Sequence, residues 1–95
     1  MKHCIIVKWN ETVTDKKAIQ LPIKALFNRA VDLDGIHHIR LVENCVDVSN
    51  RYDLAIVITM DRDALETWKN CDVHKEWKAD YTDKMQAKTI FDFED

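Results

Sequence analysis

Four histidines are the side chains of this sequence best suited to chemistry near neutral pH, because imidazole both accepts and donates a proton there. His74 stands beside Asp72 at the start of a helical segment. As a general base it suits removal of a proton next to a carbonyl; the plainer alternative is a partly buried histidine that packs or caps a helix junction. His3 falls on the Ile5/Val7 face of a β-branched run, either as a second group of the same site or as a simple strand-end residue. His37 and His38 look like a metal pair, but neighbours on a strand project to opposite faces. They are not expected to share an ion, and no metal site is predicted. Cys4, Cys45 and Cys71 are far apart and form no C-x-x-C pair, so neither a zinc ribbon nor a redox motif is present. They read as small buried or incidental thiols. There is no Ser-His-Asp order, glycine-rich phosphate loop or paired-carboxylate motif, and no cofactor is expected.

Positioning such groups requires a folded domain, and the composition supplies one. Ninety-five residues suit a single domain spanning 1–95 that buries roughly two-thirds of its unfolded surface. Hydrophobic residues at 46% and charged residues at 33% exclude a disordered chain. Fourteen Lys+Arg against 17 Asp+Glu give a charge of −3, with the signs interleaved, so no nucleic-acid partner is expected. Lys8 and Asn10 interrupt the first apolar run too soon for a signal peptide, and nothing approaches the ~20 apolar residues of a membrane span. A cytoplasmic location with reduced thiols is the expectation.

Hydrophobic periodicity then places the elements. His3 to Trp9 reads as a first strand. Thr12-Val13-Thr14-Asp15 supplies helix-start chemistry before Ile19, Ile23, Leu26, Ala30 and Leu33, which recur at helical spacing. Pro22 lies inside that pattern, so the main helix either starts near it or is kinked there. Asp34-Gly35 ends the helix. Ile36 to Cys45 reads as a second strand and Tyr52 to Met60 as a third. Asp61 and Asp63 open a further helix carrying Leu65 and Trp68. A break at Asn70-Cys71-Asp72 follows, with Asp72 as a candidate cap for a segment bearing Val73, Trp77, Tyr81 and Met85 at steps of four. Lys88 to Phe93 is the last strand.

The order β-α-β-β-α-β is the ferredoxin-like plan, an α+β fold with a four-stranded antiparallel sheet. Strands one and three are expected at its centre and both helical regions on one face. On strand three Leu54, Ile56, Ile58 and Met60 point one way while Ala55 and Val57 point the other. On strand one Ile5 and Val7 oppose Cys4 and Ile6. A sheet covered on one side alternates apolar with polar, and these strands do not. Exposed aliphatics side by side make a patch that monomers rarely leave open. A second copy on a two-fold axis is the expected cover, giving a homodimer.

Lys2-His3, Val7-Lys8-Trp9, Gly35-Ile36, Tyr52-Asp53-Leu54-Ala55, Asp63-Ala64-Leu65-Glu66, His74 and Phe91-Asp92-Phe93-Glu94 follow one another in order and spacing along essentially the whole chain. In this the sequence resembles the stress-responsive A/B barrel domain (Dabb) family. The resemblance implies a dimeric α/β barrel with a cavity between sheet and helices. Most of that family has no assigned activity, although it includes stress-associated plant proteins and a plant polyketide cyclase. In the cyclase-like branch a histidine on strand one and another after the second helix line the cavity, which implies His3 and His74 here. A cavity tyrosine corresponds to Trp68, and a strand-three histidine to Leu54, so a phenol and an imidazole are replaced. The family's common His-Pro is about Asn70-Cys71 here, and its Ile-Pro-Gly turn is Leu33-Asp34-Gly35.

The resulting expectation is a dimer that binds a small apolar or aromatic molecule around His3, Leu54, Trp68 and His74. Its chemistry would be proton transfer by His74 with His3 assisting, cyclase- or lyase-like in type. The alternative is a non-enzymatic structural or interaction dimer whose cavity is filled by Trp68, Leu54 and their neighbours. An oxygenase or haem-degrading activity rests only on the shared fold.

Overall fold

The computed structural model describes residues 1–95. Its elements run β1 (Lys2–Trp9), α1 (Gln20–Asn28), β2 (Ile36–Glu43), β3 (Leu54–Met60), α2 (Leu65–Asn70), α3 (Asp72–Tyr81) and β4 (Met85–Phe93). The sheet order is β2-β3-β1-β4 with every neighbouring pair antiparallel, which is the ferredoxin-like arrangement expected from the element order. No helix is long and apolar enough to cross a membrane.

Local chemistry explains the boundaries. Asp15 accepts from the amides of Lys17 and Ala18 at 3.2 and 2.9 Å, closing a turn ahead of α1. Pro22 then sits in the first turn of α1, where its missing amide proton costs nothing. A short 3-10 turn from Arg29 to Asp32 extends α1, and the chain reverses at Gly35 with φ 83°. A Cβ there would stand 2.8 Å from that of Ala64, so both backbone angle and space demand glycine. The break before α3 occurs as expected, but Cys71 rather than Asp72 takes the cap position. Its sulfur accepts from the His74 amide at 3.4 Å, while Asp72 is the first helical residue, where its charge favours the dipole. The last strand begins at Met85, three residues before the apolar run that predicts it. A register shift between Lys8 and Trp9 lies opposite that start.

Alternation along β1 and β3 sends His3, Ile5, Val7 and Trp9, with Leu54, Ile56, Ile58 and Met60, to the side buried beneath the helices. Phe27 and Ile23 of α1, Trp68 of α2 and Val73, Trp77 and Tyr81 of α3 complete the core. Aromatic rings interlock there: Phe27 and Trp77 lie 5.1 Å apart edge-on, and Trp77 stacks on Tyr81 at 5.0 Å. The other face carries no helix. Ile6, Ala55 and Val57 are only partly covered on it. Phe91 and Phe93, 58% and 37% exposed, sit beside them with ring centroids 6.1 Å apart. Both faces of the central strands are apolar, as the sequence pattern predicts.

Candidate functional site

The antiparallel register builds the site. It pairs His3 with Asp92, Ile5 with Ile90 and Val7 with Lys88, so Lys88, Ile90 and Asp92 share the helix side of β4 with His3. On α3, His74 and Lys78 are four residues apart and therefore stack on one flank of the helix, next to the stripe that buries Val73, Trp77 and Tyr81. That flank looks across at β4. Between the two walls lies an open cleft of about 480 Å³ lined by His3, Leu65, Trp68, His74, Ile90 and Asp92, with Lys69, Lys78 and Lys88 around it.

Each imidazole in the cleft is held through one nitrogen. His74 Nδ1 lies 3.0 Å from the Lys69 carbonyl oxygen. A carbonyl only accepts, so Nδ1 carries the proton and the neutral ring keeps its lone pair on Nε2. Its ring centroid is 5.1 Å from that of Trp68. Burial pushes the His74 pKa below the ordinary histidine value, and the nearby Lys78 and Lys88 ammoniums and His3 push the same way against the Lys69 hydrogen bond. At neutral pH it is an unprotonated base. His3 is 6% exposed, and its Nδ1 lies 2.5 Å from Asp92 Oδ1. The carboxylate fixes that ring with Nδ1 as donor and Nε2 free, the arrangement by which acidic partners orient functional histidines.

Of the four residues singled out from the sequence, His3, Trp68 and His74 meet at this cleft. Leu54 does not. It pairs with Val7 and Glu43 four residues along β3 from Ile58, the partner of His3, which is about 13 Å at strand rise, and it is 2% exposed in the core. Trp68, 1% exposed, fills space between sheet and α1 through its contact with Phe27 at 5.5 Å. The interior is therefore packed, and the cleft opens at its margin. Asp92, Lys78 and Lys88 did not emerge as site residues from the sequence. The detectable signal for Asp92 was its place in the Phe91-Asp92-Phe93 alternation, which sets it opposite to the two phenylalanines.

The other histidines lie elsewhere. A register shift between Ile36 and His38 leaves His37 as an extra residue, so the simple strand alternation assumed for the pair is interrupted. His37 Nε2 contacts Asp61 Oδ1 at 2.8 Å. No cluster of three or more His, Cys, Asp or Glu side chains is placed to hold a metal. The three cysteines are free. Burial, with the Asp92 charge second, raises the pKa of Cys4, which leaves it a poor nucleophile.

No protein-family model and no curated protein matches the sequence. Solved structures do match its fold. A dimeric ferredoxin-like protein of unknown function from Jannaschia is 16% identical and superposes with a TM-score of 0.79 over 99% of this chain and 97% of that one. A Dabb family protein with a ferredoxin-like fold from Mesorhizobium loti is 12% identical, with a TM-score of 0.66 over 99% and 94%. The hydroxynitrile lyase of Passiflora edulis is 9% identical, with a TM-score of 0.74 over 97% and 89%. At these identities the likeness is one of fold.

Proposed function

We propose that this chain is a protein of the stress-responsive A/B barrel type that pairs through its helix-free sheet face and binds a small, partly apolar molecule in the His3–His74 cleft, where His74 acts as general base. The single observation carrying the reading is that two imidazoles from distant elements line one cleft, each tethered at Nδ1 and free at Nε2. An unprotonated Nε2 beside an apolar wall is suited to taking a proton from carbon next to a carbonyl. When its ring carries a proton on both nitrogens, with Nδ1–H on Asp92, His3 presents an Nε2–H that can return a proton or donate to the developing oxyanion. The hydroxynitrile lyase of similar fold supports lyase-like chemistry, the dimeric neighbour supports pairing, and the partly covered Ile6 and Val57 with the exposed Phe91 and Phe93 are the apolar face suited to it. The membrane and nucleic acids have no part in this reading.

The packed interior favours a second reading, a non-enzymatic dimer, because Trp68 and Leu54 are almost wholly buried. Deuterium exchange at the methylene of phenylacetone, followed by proton NMR, separates the two. The protein should accelerate exchange and His74→Ala should remove about a hundredfold or more of that acceleration. Light scattering should give about twice the 11.2 kDa chain mass for both proteins. Exchange that is equally fast with His74→Ala would eliminate the base and leave the non-enzymatic dimer.

A further inference from the structure

We infer that the cleft selects a carboxylate, seated between Lys78 and Lys88, whose apolar body lies along Leu65 and Ile90. The inference deepens the proposed function and rests on the cleft being a ligand site.

Charge is the first argument. The whole chain is acidic, with 17 Asp+Glu against 14 Lys+Arg, yet the cleft is bordered by three lysines and one carboxylate. That carboxylate, Asp92, is already engaged by His3. Lys69 reaches Glu66 at 3.8 Å, whereas Lys78 and Lys88 enter none of the chain's ion pairs. Two unpaired ammoniums therefore face one opening, against the sign of the molecule as a whole.

Geometry is the second argument. Lys78 stands one helical turn beyond His74 on the cleft flank of α3, and Lys88 two residues before Ile90 on the facing side of β4. The cations thus approach from opposite walls. Ile90 is 46% exposed, an aliphatic floor left uncovered between the two walls. A molecule with an anionic head and an apolar body matches both features. Lysine binds an anion as a point charge rather than as a fork, and the cleft lining contains no arginine. Two ammoniums on opposite walls match the two oxygens of a carboxylate in number, one to each.

The test compares 2-naphthoate with its neutral isostere 2-naphthamide by NMR titration of the full-length protein, using the His74 and Trp68 ring resonances as reporters. The carboxylate should bind at least about tenfold more tightly, the sum expected of two partly solvated ion pairs. The double substitution Lys78→Gln/Lys88→Gln, both residues being exposed, should fold normally and erase that preference without changing binding of the amide. Equal affinity for the two probes would overturn the carboxylate inference while leaving the cleft as a ligand site. A preference that survives in the double variant would overturn the assignment to these lysines. Failure of both probes to move either ring would overturn the inference together with the reading it rests on.

Discussion

At the Trp9 end of β1 the space between sheet and helices is filled by rings, with Trp9, Trp77 and Tyr81 mutually in contact. At the His3 end, six residues or about 20 Å away, the same face of the same strand opens into a cleft of about 480 Å³. The two ends share a backbone and differ in what α3 presents to them. Its inner stripe carries Trp77 and Tyr81 toward Trp9, while its first turn carries His74 toward His3. Among the rings the only polar side-chain atoms are two indole nitrogens and the Tyr81 hydroxyl. Around the cleft, two imidazoles, a carboxylate and two unpaired ammoniums occupy surface that leucine would cover with more gain in stability. Ring packing is concentrated at one end and polar groups around an open cleft at the other, the division expected if the proposed site departs from best packing.

The strongest way to break this contrast is Trp77→Ala. The residue is 1% exposed and touches rings on three sides, so its removal should cost about 3–5 kcal/mol. For a domain of this length that is a large part of the total, and urea denaturation should show a midpoint near the edge of the folded range. His3→Leu sharpens the contrast from the other end. Asp92 is 40% exposed and can turn to water, and leucine fills much of the vacated volume. Stability should change by less than about 1 kcal/mol in the same denaturation experiment, while the exchange proposed for the cleft slows. A destabilisation as large as that of Trp77→Ala would mean that the cleft end is structural after all.

The smallest expected effect is a titration. The His74 midpoint, read by NMR, should lie below the ordinary 6.5 and rise toward it in Lys78→Gln/Lys88→Gln. The sign follows from linkage: because the folded pKa is depressed, the unfolded chain binds this proton first as pH falls. His74 therefore contributes no loss above about 6.5, and destabilises the fold as pH drops from there toward the folded midpoint.

Much of the fold was legible because β1 and β3 are continuous runs rich in β-branched and apolar residues and α1 buries residues at helical spacing, with Pro22 in its first turn. The break before α3 was equally readable from Asn70-Cys71-Asp72. What escaped depends on register. The shifts at Lys8/Trp9 and Ile36/His38 carry no residue signature, and the first accompanies the pairing of Trp9 with Met85 at the start of β4. His3 and His74 were found because imidazole is conspicuous and because the family resemblance placed them. Lys78 and Lys88 were lost among fourteen basic residues, since only the pairing of Val7 with Lys88 shows which way the second of them points. Leu54 was grouped with the site by the same resemblance, and four residues of strand rise separate it from the cleft.

The contact between His3 and Asp92 closes a stretch of 89 positions. Closing so long a stretch costs chain entropy before the contact repays it, and folds rich in such remote pairings fold more slowly. Until β4 docks, the ring of His3 has no carboxylate to steer it and the cleft has no floor. On the proposed function, activity would report completion of the sheet: a partly assembled chain, however helical, holds an untethered imidazole, and a refolding experiment should regain its spectrum before any proton-exchange chemistry.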